Sequence, residues 1–152
     1  DSTALCTDGD FFRYANKQHL FVFKQLNLGN QGEAPIIASS WFISSEIGNP
    51  IVVLTRNLLY AYWQDYDYLL NYFTFHLFFT MACRRYENEW ESIPAFNNSS
   101  PHMLMFELKR DYSPERWEQL MKMSGIHKLQ RYDDYSDLKK SNYCKILDTY
   151  LQ

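Results

Sequence analysis

Asn71, Thr74 and His76 stand inside a run, residues 68–79, that is otherwise aromatic and aliphatic. Polar groups in such surroundings cost free energy unless they are paired, so each needs a local hydrogen bond or a site. On a helix Asn71 and Thr74 share a face, and Tyr72 shares one with His76 four residues on. A Tyr–His pair at the end of a pocket suits a sugar hydroxyl or a phosphate, and His76 can move a proton near neutral pH. The other reading of His76 is a core histidine satisfied by one neighbour.

A second group is Ser39, Ser40 and Trp41 at a strand edge. An indole stacks on a sugar or base while neighbouring hydroxyls bind its rim; a strand end with a buried Trp would look the same. His127-Lys128 follows a Gly-terminated helix, and an imidazole beside a cation suits a diphosphate leaving group on which negative charge develops. Asp1 offers a carboxylate of the type that binds Mg²⁺ or Mn²⁺ on phosphate oxygens. Asp8 and Asp10 read as turn formers, and Asp133-Asp134 as a solvated loop. No phosphate-cradling Gly loop, helical His–Glu–His zinc pattern or Gly-flanked nucleophilic Ser is present.

The elements that must hold these residues follow from local signals. Strands are expected at 19–26 and 35–45, separated by a Gly- and Asn-rich loop. Gly48-Asn49-Pro50 opens a helix to about residue 63, with Asn49 as cap and Pro50 at its first position. Asp65 or Asp67 would cap the next helix, 68–85, which is apolar nearly all round and so expected to be central and buried. Residues 87–100 read as connecting structure and 101–109 as a short helix. Ser113-Pro114-Glu115 starts a helix to about 123 that stops before Gly125. A short strand over 126–132 and a final helix over 142–151 complete the order. The fold class is therefore α/β or α+β, a small sheet with several helices packed on it in one domain over 1–152.

Composition narrows the function classes. The chain has 152 residues, enough for a real core, and 46% are hydrophobic. Aromatics reach 18%, a supply of flat faces with polar tips that suits sugars and bases. A net charge of −3 with no basic stripe speaks against a nucleic-acid partner. The three cysteines are far apart and read as free thiols in a reducing compartment. No apolar run reaches the roughly 18 residues of a membrane span, and no signal peptide is visible. Five glycines speak against a complete dinucleotide-binding domain, and the Asp-Ser-Thr start suggests a fragment or a processed chain.

Taken in order, Asp1-Ser2-Thr3, Ser40-Trp41-Phe42, Gly48-Asn49-Pro50, Tyr62-Trp63, Asn71-Tyr72-Phe73 through His76, Ile93-Pro94, Pro101-His102 and His127-Lys128-Leu129 resemble the capsular polysaccharide synthesis glycosyltransferases. These are bacterial relatives of the DXD-containing sugar transferases, and the resemblance covers nearly the whole chain. It implies a GT-A-like domain of which this is the C-terminal part, the chain starting inside the acidic metal motif and lacking an N-terminal half. The activity implied is transfer of a sugar from a nucleotide-sugar donor to a polysaccharide or lipid-linked acceptor, in the cytoplasm at the inner face of the membrane, with peripheral membrane association. By the same resemblance Asp1 would hold Mn²⁺ or Mg²⁺, and His127 and Lys128 would sit near the leaving diphosphate. Ser40, Trp41, Tyr72 and His76 would line the sugar and acceptor pocket, with His76 and Asn71 as the catalytic positions. Family members commonly carry an acidic residue where Asn71 stands, a departure from the pattern. The alternative is a non-catalytic glycan-binding or assembly module that needs only the aromatics.

Overall fold

A computed structural model of the chain describes residues 3–26, 36–130 and 138–150. Its order is β1 (Thr3–Cys6), α1 (Gly9–Asn16), β2 (Leu20–Val22), β3 (Ile43–Ser45), α2 (Pro50–Asp65), α3 (Thr74–Arg85), α4 (Glu87–Ser92), α5 (Ser99–Glu107), α6 (Pro114–Met123), β4 (Ile126–Leu129) and α7 (Asn142–Tyr150). The architecture is α+β, helix-rich with short antiparallel strand pairs. Two two-stranded sheets are present among the described residues, β1–β4 and β2–β3, where one small sheet was expected. The chain divides into two compact units, Asp1–Arg13 with Ser99–Gln152, and Tyr14–Asn98.

In the first unit β1 pairs antiparallel with β4, Thr3 opposite Leu129 and Leu5 opposite His127. Leu5, Leu104, Leu108, Leu120 and Ile146 form its core, with Trp117 and Met121 packed against them. Burying five such side chains supplies on the order of 10 kcal/mol of hydrophobic stabilisation. Glu107 at the end of α5 is buried and paired with Arg116 on α6, its two oxygens 3.2 and 3.1 Å from the guanidinium Nε. Asn142 donates to the Glu107 carbonyl at 2.9 Å, so α7 starts from the same point. The arginine holds the Glu107 carboxyl below its ordinary range.

In the second unit β2 pairs antiparallel with β3, Leu20 opposite Ser45. Asn49 caps α2 as the Asn-Pro signal predicts: its Oδ1 accepts from Ile51 N at 3.1 Å and Val52 N at 3.3 Å. Its Nδ2 donates to the His19 carbonyl at 3.3 Å and to Glu89 Oε1 at 3.2 Å. Gly48 before it has φ +84°, the left-handed region that favours glycine. Leu20, Val22, Ile51, Phe79, Ala82 and Ile93 make the core. α3 packs on α2 through a buried face that includes Phe79, Ala82 and Cys83, at helical spacing.

Several boundaries differ from the sequence expectation for physical reasons. α3 begins at Thr74, six residues after the expected start. The Tyr62 hydroxyl donates to the Tyr68 carbonyl at 2.6 Å and accepts from Leu70 N at 3.0 Å, which holds residues 68–70 out of a helix. The helix is also not buried all round; Met81 is exposed. Residues 9–16 form a helix where a turn was expected, because Asp8 Oδ1 accepts from Asp10 N at 2.8 Å and the same Asp-based geometry serves both. Residues 87–92 are helical, not connecting. Ser113 occupies the cap position of α6 without a side-chain capping bond.

Gly125 was read as a helix stop, yet its role is close approach. A Cβ there would lie 2.6 Å from Phe11 Cβ and 2.8 Å from Asp8 Cβ. Its carbonyl accepts from Thr7 N at 2.9 Å and Asp8 N at 3.1 Å, so neither side can retreat without losing these bonds. Gly125→Ala is therefore expected to destabilise by about 1–3 kcal/mol, as overpacking does. Urea denaturation of the variant measures this, and an unchanged midpoint would contradict the close-approach account.

Candidate functional site

The segment after β2 builds one wall of the candidate site. Ser39 N donates to the Phe23 carbonyl at 3.0 Å, which lays residues 39–42 alongside the end of β2. Trp41 then stacks on the buried Phe23, centroids 5.0 Å apart and planes 12° apart. Phe42 meets Phe21 edge-on at 5.8 Å. Offset and edge contacts of this kind add stabilisation beyond area, about 0.5–1.5 kcal/mol each. Trp41 is left half-buried and Ser40 exposed.

The start of α3 builds the other wall. The Asn71 carboxamide oxygen accepts from Phe73 N at 2.8 Å, while the Thr74 hydroxyl donates to the Asn71 carbonyl at 2.6 Å and accepts from Asn71 N at 3.2 Å. Helix initiation thus accounts for the polarity of Asn71 and Thr74 in their apolar run. His76 lies edge-on to Phe73 and Phe75, with both centroid distances 5.8 Å, and the Ala38 backbone lies beside its imidazole. That proximity brings the segment that continues into Ser39, Ser40 and Trp41 to the helix start. Burial lowers the pKa of the His76 imidazole, and the Ala38 backbone offsets part of the effect.

Tyr72 requires a correction. It precedes α3 in the turn, so it does not share a helical face with His76. It is 81% exposed, and its ring meets Phe73 edge-on at 5.1 Å, which links it to His76 through that phenylalanine.

Ser40, Trp41, Asn71, Tyr72 and His76 thus belong to one unit, whereas His127 and Lys128 belong to the other. His127 and Lys128 lie on β4, and successive residues of a strand face opposite ways. Lys128 is half-buried. His127 is fully enclosed, and neither ring nitrogen reaches a hydrogen-bond partner among the described residues. Asp1, the metal ligand implied by the resemblance, lies outside the described residues. Among the described residues no three or more His, Cys, Asp or Glu gather as a metal-binding group. They do not by themselves fit the implied Mn²⁺ or Mg²⁺.

Sequence reasoning missed two features. One is the approach of the Ala38 backbone to His76, for which a buried small residue beside a loop gives no signal. The other is Tyr62, whose hydroxyl shapes the 66–73 turn. A separate open cleft of about 460 Å³ is lined by Pro50, Arg84, Arg85, Glu87 and Glu89 among others, with both charge signs. The cysteines are free, Cys83 buried and its thiol pushed up to about 12 by burial. Among the described residues no helix is long and apolar enough to cross a membrane.

His127 generates a pH prediction. Burial lowers its pKa from 6.5 to about 4, and the Ser124 backbone beside it reverses this only in part. The folded state therefore excludes a proton that the unfolded chain binds. Stability from this neutral ring is full above about pH 6.5, falls as pH drops below that, and levels off near pH 4. Moving from pH 7 to pH 5 should cost about 2 kcal/mol from this group. In His127→Leu this part of the slope should vanish, as read from urea midpoints at the two pH values; an identical slope in the variant would refute it.

Comparison with known proteins bears on this arrangement. No curated protein and no solved structure matches the chain significantly. The family model described as capsular polysaccharide synthesis protein matches residues 1–147, a span that takes in both strand pairs and every residue of the Trp41–His76 arrangement. The chain belongs to the capsular polysaccharide synthesis protein family.

Proposed function

We propose that this chain is the C-terminal part of a GT-A-like glycosyltransferase. It would transfer a sugar from a nucleotide-sugar donor to a glycan or lipid-linked acceptor in capsule or surface polysaccharide synthesis. The supporting observation is the His76 imidazole, held neutral in an aromatic setting and lying beside the Ala38 backbone next to Ser40 and Trp41. A neutral imidazole carries its proton on one nitrogen and has the other as an acceptor. That nitrogen can take the proton of an acceptor hydroxyl as the hydroxyl attacks the sugar's anomeric carbon and the nucleoside diphosphate departs. Trp41 would stack on a sugar ring, with the Ser40 hydroxyl at its rim.

Within this reading Asn71 orients the turn before His76, and Tyr72 contributes at the acceptor side. Lys128 supplies a cation for the diphosphate. His127 stands beside Lys128 in sequence but has no exposed surface, so its part would be to shape β4 under that cation. Metal dependence rests on Asp1, and the enzyme would work in the cytoplasm at the inner face of the membrane. The second reading, a non-catalytic glycan-binding module, is favoured by the exposure of every residue from 63 to 72, among them Trp63, Tyr66, Tyr68 and Tyr72.

Calorimetric titration with UDP- and GDP-sugars, with and without Mn²⁺, separates the two. In the full-length enzyme metal-dependent donor binding is the expected result, and glycan binding without donor binding would favour the module. In the full-length enzyme His76→Ala should lower kcat by about 10²–10⁴-fold, the usual worth of a general base, with KM changed much less. Unchanged turnover would remove His76 from the mechanism.

A further inference from the structure

Residues 63–72 are exposed without interruption, yet most of them are aromatic or aliphatic. Tyr60 (64%), Trp63 (47%), Tyr66 (47%), Tyr68 (55%) and Leu70 (65%) are among the large exposed side chains in and next to this stretch. On an ordinary surface such side chains occur singly; a contiguous group marks an interaction site.

The group is also built in place. Tyr62 stacks on Tyr66 at 5.1 Å with planes 28° apart, Tyr66 meets Tyr68 edge-on at 5.7 Å, and Tyr62 meets Trp63 edge-on at 5.1 Å. The two hydrogen bonds of the Tyr62 hydroxyl fix the turn that carries the rings. Rings held in advance lose little conformational entropy on binding.

Charge selects the occupant. From residue 57 to residue 83 the sequence has no Lys or Arg, while Asp65 and Asp67 are exposed among the rings. Interfacial membrane anchors rely on basic residues, so an anionic bilayer is a poor match. Acidic polymers would be repelled. A second copy joined by a two-fold would bring like carboxylates together. A neutral, hydroxyl-rich chain fits instead, its ring faces stacking on aromatics and its hydroxyls donating to the two carboxylates. The turn runs through Tyr72 and Phe73 directly into the start of α3, where His76 lies.

We propose that the Tyr60–Trp63–Tyr66–Tyr68 surface is a binding platform for a neutral glycan chain, feeding the acceptor end toward His76. This deepens the transferase reading and rests on it for the direction of feeding.

The test is titration of the full chain with maltohexaose, cellohexaose and α-mannohexaose, followed by Trp fluorescence and calorimetry, beside the nucleotide-sugar titration. Phosphatidylglycerol vesicles and sedimentation equilibrium run in parallel. Binding of at least one hexasaccharide is expected, weakened tenfold or more in Trp63→Ala and in Tyr68→Ala and within twofold in Leu70→Ser. All three variants alter exposed side chains, and circular dichroism checks that each is folded. Binding to none of the hexasaccharides overturns the platform. So does vesicle binding lost in Leu70→Ser, which would make the surface a membrane contact, or a dimer dissociated by Trp63→Ala, which would make it a self-interface. In the full-length enzyme, donor binding without glycan binding sinks the platform alone; glycan binding without donor binding keeps the platform and sinks the transferase.

Discussion

Asn49 places one side-chain amide where three elements of the second unit meet. Its oxygen takes the two leading N–H groups of α2, and its nitrogen reaches the residue before β2 and the Glu89 carboxylate on α4. The residue is 1% exposed, so the amide itself is shielded from water, and an unmet polar atom there would be costly. An aspartate would bring the same oxygen without the donor, and a serine would reach only the helix. Asparagine alone both starts α2 and fastens it to its neighbours. Pro50 at the first helical position makes the start sharp because it has no N–H to satisfy.

The candidate site hangs on that frame by backbone groups. With α2 fixed, α3 packs on it through Phe79, Ala82 and Cys83, and the start of α3 is then fixed as well. The Phe23 carbonyl holds Ser39, and the Ala38 backbone lies beside His76. A backbone group beside an imidazole positions it without adding charge. An aspartate in its place would raise the pKa, whereas here burial dominates and the ring is neutral near pH 7. The aromatic surround supplies that burial, which connects the unusual aromatic content of the chain to the chemistry of one side chain.

What was legible in the sequence is what local chemistry decides. Asn49-Pro50 and Pro114 mark helix starts because capping depends on a few neighbouring residues, and Phe21 and Ile43 fall in strands as their types suggest. The α3 start was misplaced because its cause is Tyr62, six to eight residues away and on another helix, whose hydroxyl looks like any other until the turn folds back on it. Gly125 shows the same limit: its type is visible, but the Phe11 and Asp8 atoms that forbid a Cβ are distant in sequence. The residues of the Trp41–His76 arrangement stood out by polarity in an apolar run. What brings them together is the Ala38 backbone beside His76, which no side-chain pattern encodes.

The histidines show why burial alone does not mark a site. His76 and His127 are both shifted down by desolvation, so by protonation state they look alike. They differ in what else touches them. His76 is half-buried, lies beside the Ala38 backbone, and meets Phe73, which in turn meets the exposed Tyr72. His127 is enclosed on β4 and lacks a partner for either nitrogen among the described residues. A ring in that state resists protonation without offering a lone pair to any ligand, and its consequence is a stability that depends on pH. His19 is the opposite case: exposed, paired with Glu46 at 2.8 Å and shifted up, it favours the folded state at low pH, and solvent screening keeps that effect small. Chemistry requires a group that is perturbed, oriented and reachable together. Of these three imidazoles, His76 alone combines the properties.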